Sequence, residues 1–278
     1  TEEELKMLTD VPVIGHIPHS KLKFQTAVLS DPNSMQAEGF RSLRTRMQFF
    51  IRDTGNPVIV ISSSIPGEGK TFAAVNLASA YSLAGKKTVI VGFDLRRPNL
   101  SPDFGVDNSR GISTFLIGRN SIDEIIHSSG FKNLDIVPSG PIPPNPAELA
   151  ASEKCRVLFD HLRYHYDYVI VDTSPFGVVS DGLNQAQIAD ANIFVVRLNK
   201  SMKRPLRETL SEISHMGIKG VSILVNDYKS GKGPYRYTHN YRYKKYNQTG
   251  AKPRKKSEKA RNKSEESRKK TLPHPELT

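Results

Sequence analysis

The amino-acid sequence predicts an α/β protein with a doubly wound, mainly parallel sheet, followed by a disordered basic tail. Short, nearly continuous runs of β-branched residues alternate with helical spans, as expected when crossover helices bury both faces of a parallel sheet. The tail, residues 229–278, holds sixteen Lys or Arg and four Glu, which accounts for the whole net charge of +12. Its few apolar side chains do not offset the entropy of ordering, so we expect disorder there.

The first thirty residues are predicted to be an entry segment to one large domain, residues 31–228. Within the entry segment, the proline-punctuated stretch 11–18 is predicted to be extended. A helix is predicted from Ser34, because large apolar residues recur there at the spacing of one helix face. These residues are Phe40, Leu43, Met47 and Phe50.

Strands and a helix follow along the domain. The predicted strands are 57–62, 87–91, 166–172, 191–197 and 220–226. A helix over 71–84, ended by Gly85, follows the first of them. Cys155, the one cysteine, excludes an internal disulfide and fits a reducing compartment. No apolar run approaches the ~18–20 residues that cross a bilayer, and no signal peptide is recognised.

A phosphate-binding loop is predicted between the strand 57–62 and the helix after it. Residues 63–71 read Ser-Ser-Ile-Pro-Gly-Glu-Gly-Lys-Thr, in which glycines let backbone N–H groups curl around phosphate oxygens. We expect Lys70 to contact the β- and γ-phosphates and the Thr71 hydroxyl to ligate Mg²⁺. The predicted nucleotide-binding residues of the loop are Pro66, Gly67, Glu68, Gly69, Lys70, Thr71 and Phe72.

Two acidic residues stand at the carboxyl ends of predicted strands. Asp94 comes after the strand that begins at Lys87, and Asp172 ends another strand. Ligands bind outside the carboxyl ends of strands in open α/β sheets, and Mg²⁺ prefers carboxylate and water oxygens. We therefore predict Thr71, Asp94 and Asp172 as metal ligands, and Lys70, Asp94 and Asp172 as the catalytic set.

These segments resemble the Walker A, Walker A′ and Walker B motifs of bacterial tyrosine kinases, the autokinases that regulate capsule and exopolysaccharide export. The three motifs are 63–71, Asp-Leu-Arg-Arg-Pro at 94–98 and Val-Asp-Thr-Ser-Pro at 171–175. The sequence 38–44 resembles the family's oligomerisation helix, and 140–149 its proline-rich segment. A tyrosine cluster resembles the family's autophosphorylation sites: Tyr235, Tyr237, Tyr241, Tyr243 and Tyr246.

The resemblance implies a fold of the P-loop NTPase type, ATP and Mg²⁺ as cofactors, and phosphorylation of protein tyrosine. Glu38, Arg41 and Arg44 would pair across subunits of a ring, bringing each tail into a neighbour's active site. Asn226 would contact adenine from a strand end.

The resemblance also implies partners and a location. A transmembrane polysaccharide co-polymerase segment, in the same or a separate chain, and a tyrosine phosphatase would be the partners. The domain would lie at the cytoplasmic face of the bacterial inner membrane. The chain begins with Thr rather than Met, which agrees with a piece of a longer protein.

One position departs from the family pattern. The Walker A′ motif commonly carries an acid two residues before Asp94, where this chain has Gly92. In the family, that carboxylate is assigned to activating the attacking hydroxyl. Because phosphoryl transfer depends mostly on positioning and charge neutralisation, we expect an active kinase, with Asp181 as a candidate replacement acid. A nucleotide-binding pseudokinase that acts through assembly is the alternative.

Other interpretations of the tail and the core are open. Basic and aromatic side chains also suit nucleic acid, an anionic membrane surface or a solvated terminus. Behind a kinase-like core the tyrosines are better interpreted as phosphate acceptors, and nucleic acid is not expected as a partner. For the core, the rival is a partitioning or cell-division ATPase, which carries a signature lysine where this chain has Ile65.

Overall fold

The computed structural model describes residues 2–19, 25–51, 54–178 and 182–229. The five predicted acceptor tyrosines and Asp181 lie outside these residues.

Within the described residues, one sheet contains all the strands. They are β1 (Val13–Pro18), β2 (Val58–Ser63), β3 (Thr88–Phe93), β4 (His127–Ser128), β5 (Leu134–Val137), β6 (Tyr168–Thr173), β7 (Ala191–Arg197) and β8 (Val221–Tyr228). Their order is β1-β8-β7-β2-β6-β3-β5-β4, and the pairs are parallel except β4 with β5.

Helices connect the strands. They are α1 (Glu2–Leu8), α2 (Ala27–Ser30), α3 (Met35–Phe50), α4 (Lys70–Ser82), α5 (Ile112–Leu116), α6 (Ile122–Ile125), α7 (Pro146–Ala150), α8 (Glu153–His165), α9 (Leu183–Ile188) and α10 (Lys203–His215), with a 3₁₀ turn at Ser101–Phe104.

Both faces of the sheet are covered by helices. Val58 and Val60 of β2 pack in a core cluster that includes side chains of α8 and α10. Ile59 and Ile61 point to the other face, in a cluster with side chains of α3 and α4. All four are fully buried, and each contributes roughly 1.5–3 kcal/mol relative to an exposed side chain. The predicted doubly wound α/β fold is confirmed.

Several element predictions need correction. The short strands β4 and β5 were not predicted, because two and four residues are too few to show a pattern. Phe50, predicted on the buried face of α3, is 38% exposed at the helix end, where Ile51 is buried instead. The stretch 11–18 contains β1, which pairs with β8, so part of the predicted entry segment is an edge strand of the sheet.

The parallel register aligns the strand ends that carry the predicted motifs. Ile61 of β2 and Gly92 of β3 both pair with Asp172 of β6, which lies between these two strands. The loop after β2 and Asp94 after β3 therefore emerge side by side at the carboxyl ends of the strands, next to Asp172.

Helix α3 packs on α4, and Arg44 joins the two helices. Its Nη1 donates to the carbonyl oxygen of Ala80 at 2.7 Å. That carbonyl lies in the last turn of α4, and the N–H of Ala84, four residues on, donates to Tyr81 instead. Arg41 donates to Glu38 within α3 at 2.8 and 2.6 Å. The predicted pairing of these side chains between subunits stays a prediction.

We expect Arg44→Ala to lower the free energy of unfolding by about 1–3 kcal/mol, because the Ala80 carbonyl loses its charged donor. Gln48→Ala, at an exposed position of the same helix, is the matched control and should change stability by less than about 0.5 kcal/mol. Urea unfolding of both variants measures the difference, and equal midpoints would contradict a structural role for Arg44.

Candidate active site

The phosphate-binding loop connects β2 to α4 and depends on two glycines. Gly67 has φ +82° and Gly69 has φ +101°, a backbone conformation that L side chains rarely adopt. A Cβ on Gly69 would also lie 2.1 Å from Nδ2 of Asn226. Position 69 is therefore restricted to glycine both by its conformation and by the close approach of Asn226.

Side chains from distant parts of the chain hold the loop in shape. The fully buried carboxylate of Glu68 accepts from the N–H of Ile65 at 2.9 Å, from the Ser64 hydroxyl and from the Ser201 hydroxyl. Nδ2 of Asn226 donates to the carbonyl oxygen of Glu68 at 2.9 Å. The Glu68 carboxylate thus faces into the protein. The predicted contribution of Glu68 to nucleotide binding therefore rests on its backbone N–H.

The position of Asn226 differs from the prediction. It lies inside β8, which extends two residues beyond it, rather than at a strand end. Its side chain is 9% exposed and supports the loop. Contact with adenine stays a prediction.

The predicted catalytic residues lie together where α4 begins. Lys70 Nζ is 3.0 Å from Asp94 Oδ2 and 3.4 Å from Asp172 Oδ1. The Thr71 hydroxyl donates to Asp172 Oδ2 at 2.7 Å. Asp94 Oδ1 also accepts from the Ser174 hydroxyl at 3.1 Å. The structure therefore brings the residues of all three motifs into one cluster.

The cluster has one ammonium group for two buried carboxylates. Burial alone would lower the pKa of Lys70, but the carboxylates of Asp172 and Asp94 overcome this effect and raise it. Burial raises the pKa of Asp172, against the opposing effects of Lys70 and the Thr71 hydroxyl. The excess negative charge favours a second cation at this position.

The donor set fits Mg²⁺ better than a softer metal. Asp94, Asp172 and the Thr71 hydroxyl offer oxygen atoms, and Mg²⁺ is commonly held by one or two carboxylates together with phosphate and water oxygens. Among the described residues, no group of three or more His, Cys, Asp or Glu is arranged to bind a metal alone. A magnesium site here would thus be completed by the phosphates of a nucleotide.

A cavity that was not predicted from the sequence lies beside the loop. Its volume is about 350 Å³, and it is lined by Arg197, Leu198, Asn199, Lys200, Asp227 and Lys229. Arg197 donates to Asp227 at 2.9 and 2.8 Å, and its Nη1 is 3.5 Å from the Gly67 carbonyl oxygen. Two charged residues in the sequence could have indicated this cavity. Arg197 ends the predicted strand 191–197, and Asp227 directly follows the predicted strand 220–226.

Position 92 is surrounded by other side chains. A Cβ built on Gly92 would lie 3.1 Å from the Ser139 hydroxyl oxygen and 3.2 Å from Leu100 Cδ2. Ser139 donates to the Gly92 carbonyl oxygen at 2.6 Å. A side chain at this position would therefore require Ser139 or Leu100 to shift by a few tenths of an ångström.

In the described part of the chain, no helix has the length and apolar content needed to span a membrane.

Comparisons with known proteins identify relatives of the chain. Residues 56–217 match the protein family described as AAA domain. The tyrosine-protein kinase YwqD of Bacillus subtilis is 32% identical over 213 residues, covering 77% of this chain and 90% of YwqD. EpsB of Ralstonia nicotianae is 34% identical over 77% of this chain, which spans only 28% of the length of EpsB.

Solved structures show the same relationship. The crystal structure of the chimerical protein CapA2B2 is 33% identical with a TM-score of 0.77, covering 83% of this chain and 100% of that chain. The cell division ATPase MinD of Pyrococcus furiosus, at 23% identity and a TM-score of 0.54, shares the fold alone. The family match, the extent of the YwqD alignment and the three motifs at one sheet edge show that this chain belongs to the bacterial tyrosine-protein kinases built on an AAA-type domain.

Proposed function

We propose that this chain is an ATP-dependent protein-tyrosine autokinase domain that phosphorylates the tail tyrosines of a neighbouring copy. The observation that carries the proposal is the convergence of Lys70, Asp94 and Asp172 beside the phosphate-binding loop. Phosphoryl transfer requires mainly positioning and charge neutralisation, and this cluster supplies groups for both.

Each part of the site has a task in the proposed reaction. The backbone N–H groups around Gly67 and Gly69 bind phosphate oxygens, helped by the partial positive charge at the start of α4. Lys70 neutralises charge on the β- and γ-phosphates. Asp94, Asp172 and the Thr71 hydroxyl hold Mg²⁺, which when bound supplies further charge neutralisation.

The cavity beside the loop is proposed to bind the nucleoside of ATP. It adjoins the Gly67 carbonyl, so it lies next to the proposed phosphate site. The Asp227 carboxylate is paired with Arg197 and also contacts His19. The pairing orients the Arg197 guanidinium along the wall of the cavity.

The acceptors are proposed to be the tyrosines at the start of the basic tail, which are Tyr235, Tyr237, Tyr241, Tyr243 and Tyr246. The wider role proposed is regulation of capsule or exopolysaccharide polymerisation and export at the cytoplasmic face of the bacterial inner membrane. Three partners are proposed. The first is further copies of the chain, joined in a ring through Glu38, Arg41 and Arg44. The others are a transmembrane co-polymerase segment and a tyrosine phosphatase.

A mixing experiment tests transfer between copies. One chain carries Lys70→Met and keeps its tail tyrosines, and the other has an intact site with all five tail tyrosines changed to Phe. Incubated alone with labelled ATP and Mg²⁺, each chain should gain little tail label. Mixed together, the Lys70→Met chain should become labelled on tyrosine, because its partner supplies the active site.

The outcomes separate the competing functions. If wild-type protein becomes labelled on tyrosine but the Lys70→Met chain stays unlabelled in the mixture, phosphorylation between copies is contradicted. Release of inorganic phosphate without phosphotyrosine would favour the partitioning-type ATPase. Nucleotide binding with neither phosphotyrosine nor phosphate release would favour the pseudokinase, for which Gly92 is the specific observation.

A further inference from the structure

The proposed transfer needs an acceptor for the tyrosine hydroxyl proton, and Gly92 has no side chain that can take it. We propose that Asp103, in the 3₁₀ turn Ser101–Phe104, is the catalytic base of this chain. The inference rests on the proposed kinase function and names one more residue of the same site.

The turn that carries Asp103 lies against the position of the missing acid. Leu100, which directly precedes the turn, is 1% exposed, and its Cδ2 lies 3.2 Å from a Cβ built on Gly92. Gly92 in turn pairs with Asp172 in the sheet register. The N–H of Asp103 donates to the Leu100 carbonyl oxygen at 3.3 Å, one 3₁₀ turn earlier. Because side chains three residues apart align in a 3₁₀ turn, the Asp103 side chain lies on the same side of the turn as Leu100, the side that faces Gly92.

The environment of Asp103 differs from that of the other two acids. Asp94 and Asp172 lie against Lys70, and they accept from the Ser174 and Thr71 hydroxyls respectively. In the described part of the chain, the half-buried Asp103 carboxylate has no hydrogen bond or ion pair. A carboxylate without a donor keeps its lone pairs available for an incoming proton.

Electrostatics support the assignment. Burial raises the pKa of Asp103, and the negative charge of Asp172 raises it further. Asp107, on the same segment, is exposed and bonded to Ser109, and these hydrogen bonds lower its pKa. A general base becomes more effective as its pKa approaches the working pH.

The phenolic oxygen of the acceptor tyrosine forms a bond to the γ-phosphorus of ATP while its proton passes to an oxygen of Asp103. The bond from the γ-phosphorus to the bridging oxygen breaks, and its electron pair leaves with ADP. Asp103 then releases the proton to water.

The test compares Asp103→Asn with the matched control Asp107→Asn in the full chain with ATP and Mg²⁺. We expect the first change to lower the rate of tyrosine phosphorylation by about 10²–10⁴-fold, the usual value of general-base assistance. The second change should leave the rate close to wild type. Both variants should bind a fluorescent ATP analogue as wild type does and should have the wild-type thermal midpoint. If Asp103→Asn is poorly folded, Asp103→Ala is the second variant, and it should show the same loss of phosphorylation rate.

A second measurement separates a base from a structural residue. Both variants are produced with difluorotyrosine in place of tyrosine, since its more acidic hydroxyl needs less help in losing its proton. The deficit of Asp103→Asn relative to Asp107→Asn should then shrink. A rate equal to the control, a deficit unchanged by fluorination, or a loss explained by weaker ATP binding would each overturn the role of Asp103. Absence of phosphotyrosine in wild type would instead overturn the proposed function.

Discussion

Replacing Lys70 with Met is expected to lower tyrosine phosphorylation by about 10³-fold and to destabilise the fold. The rate falls because a preorganised charge aimed at the transferring phosphoryl group is lost. Stability falls because Asp94 and Asp172, both almost fully buried, lose their common cation. Removing one partner of a buried ion pair costs about 3–5 kcal/mol. Initial rates with labelled ATP and urea unfolding midpoints measure the two effects.

Lys132→Met is the matched control for this change, because Lys132 is an exposed lysine in a turn. It should leave both the rate and the unfolding midpoint close to wild type. If Lys70→Met phosphorylates tyrosine at the wild-type rate, the proposed site is excluded. An unchanged unfolding midpoint would show that the two carboxylates do not depend on Lys70 for their burial.

Gly69→Ala should abolish measurable ATP binding and lower the free energy of unfolding by about 2–5 kcal/mol. Part of the cost is the strain of alanine at a positive φ. The remainder arises because the new Cβ would lie 2.1 Å from Nδ2 of Asn226, which donates to the Glu68 carbonyl. The side chain must move, and the loop loses one of its supports. Isothermal titration with ATP and urea unfolding measure the two losses.

The chain offers a control for the strain alone. Gly85 has φ +81° with no atom within 4 Å of a built Cβ, so Gly85→Ala carries strain without a collision. We expect it to cost about 1–2 kcal/mol and to leave ATP binding intact. Asn226→Ala should also reduce the stability cost of Gly69→Ala, because the colliding amide is gone. Equal effects of the two glycine changes, or strictly additive costs in the double variant, would contradict the collision.

Much of the fold and the central cluster was predictable because the signals are local. Near-continuous β-branched runs predicted β2, β3, β6, β7 and β8, and no predicted strand boundary differs from the observed one by more than two residues. The loop residues and Asp94 follow strands, and Asp172 is the second-last residue of β6. The parallel topology then brings all of them together at the carboxyl ends of the strands. Short elements such as β4 escaped prediction, since their pairing partner rather than their own pattern defines them.

By itself, the sequence determined the fold class, the phosphate-binding loop and the acids that converge on Lys70. The tertiary structure alone decided which partners the remaining polar side chains have. Glu68 is held by Ser201, Arg44 by Ala80, and the loop by Asn226. These contacts join residues 36 to 158 positions apart, and no local pattern encodes them. Only the tertiary structure places Leu100, and with it the turn that carries Asp103, against Gly92.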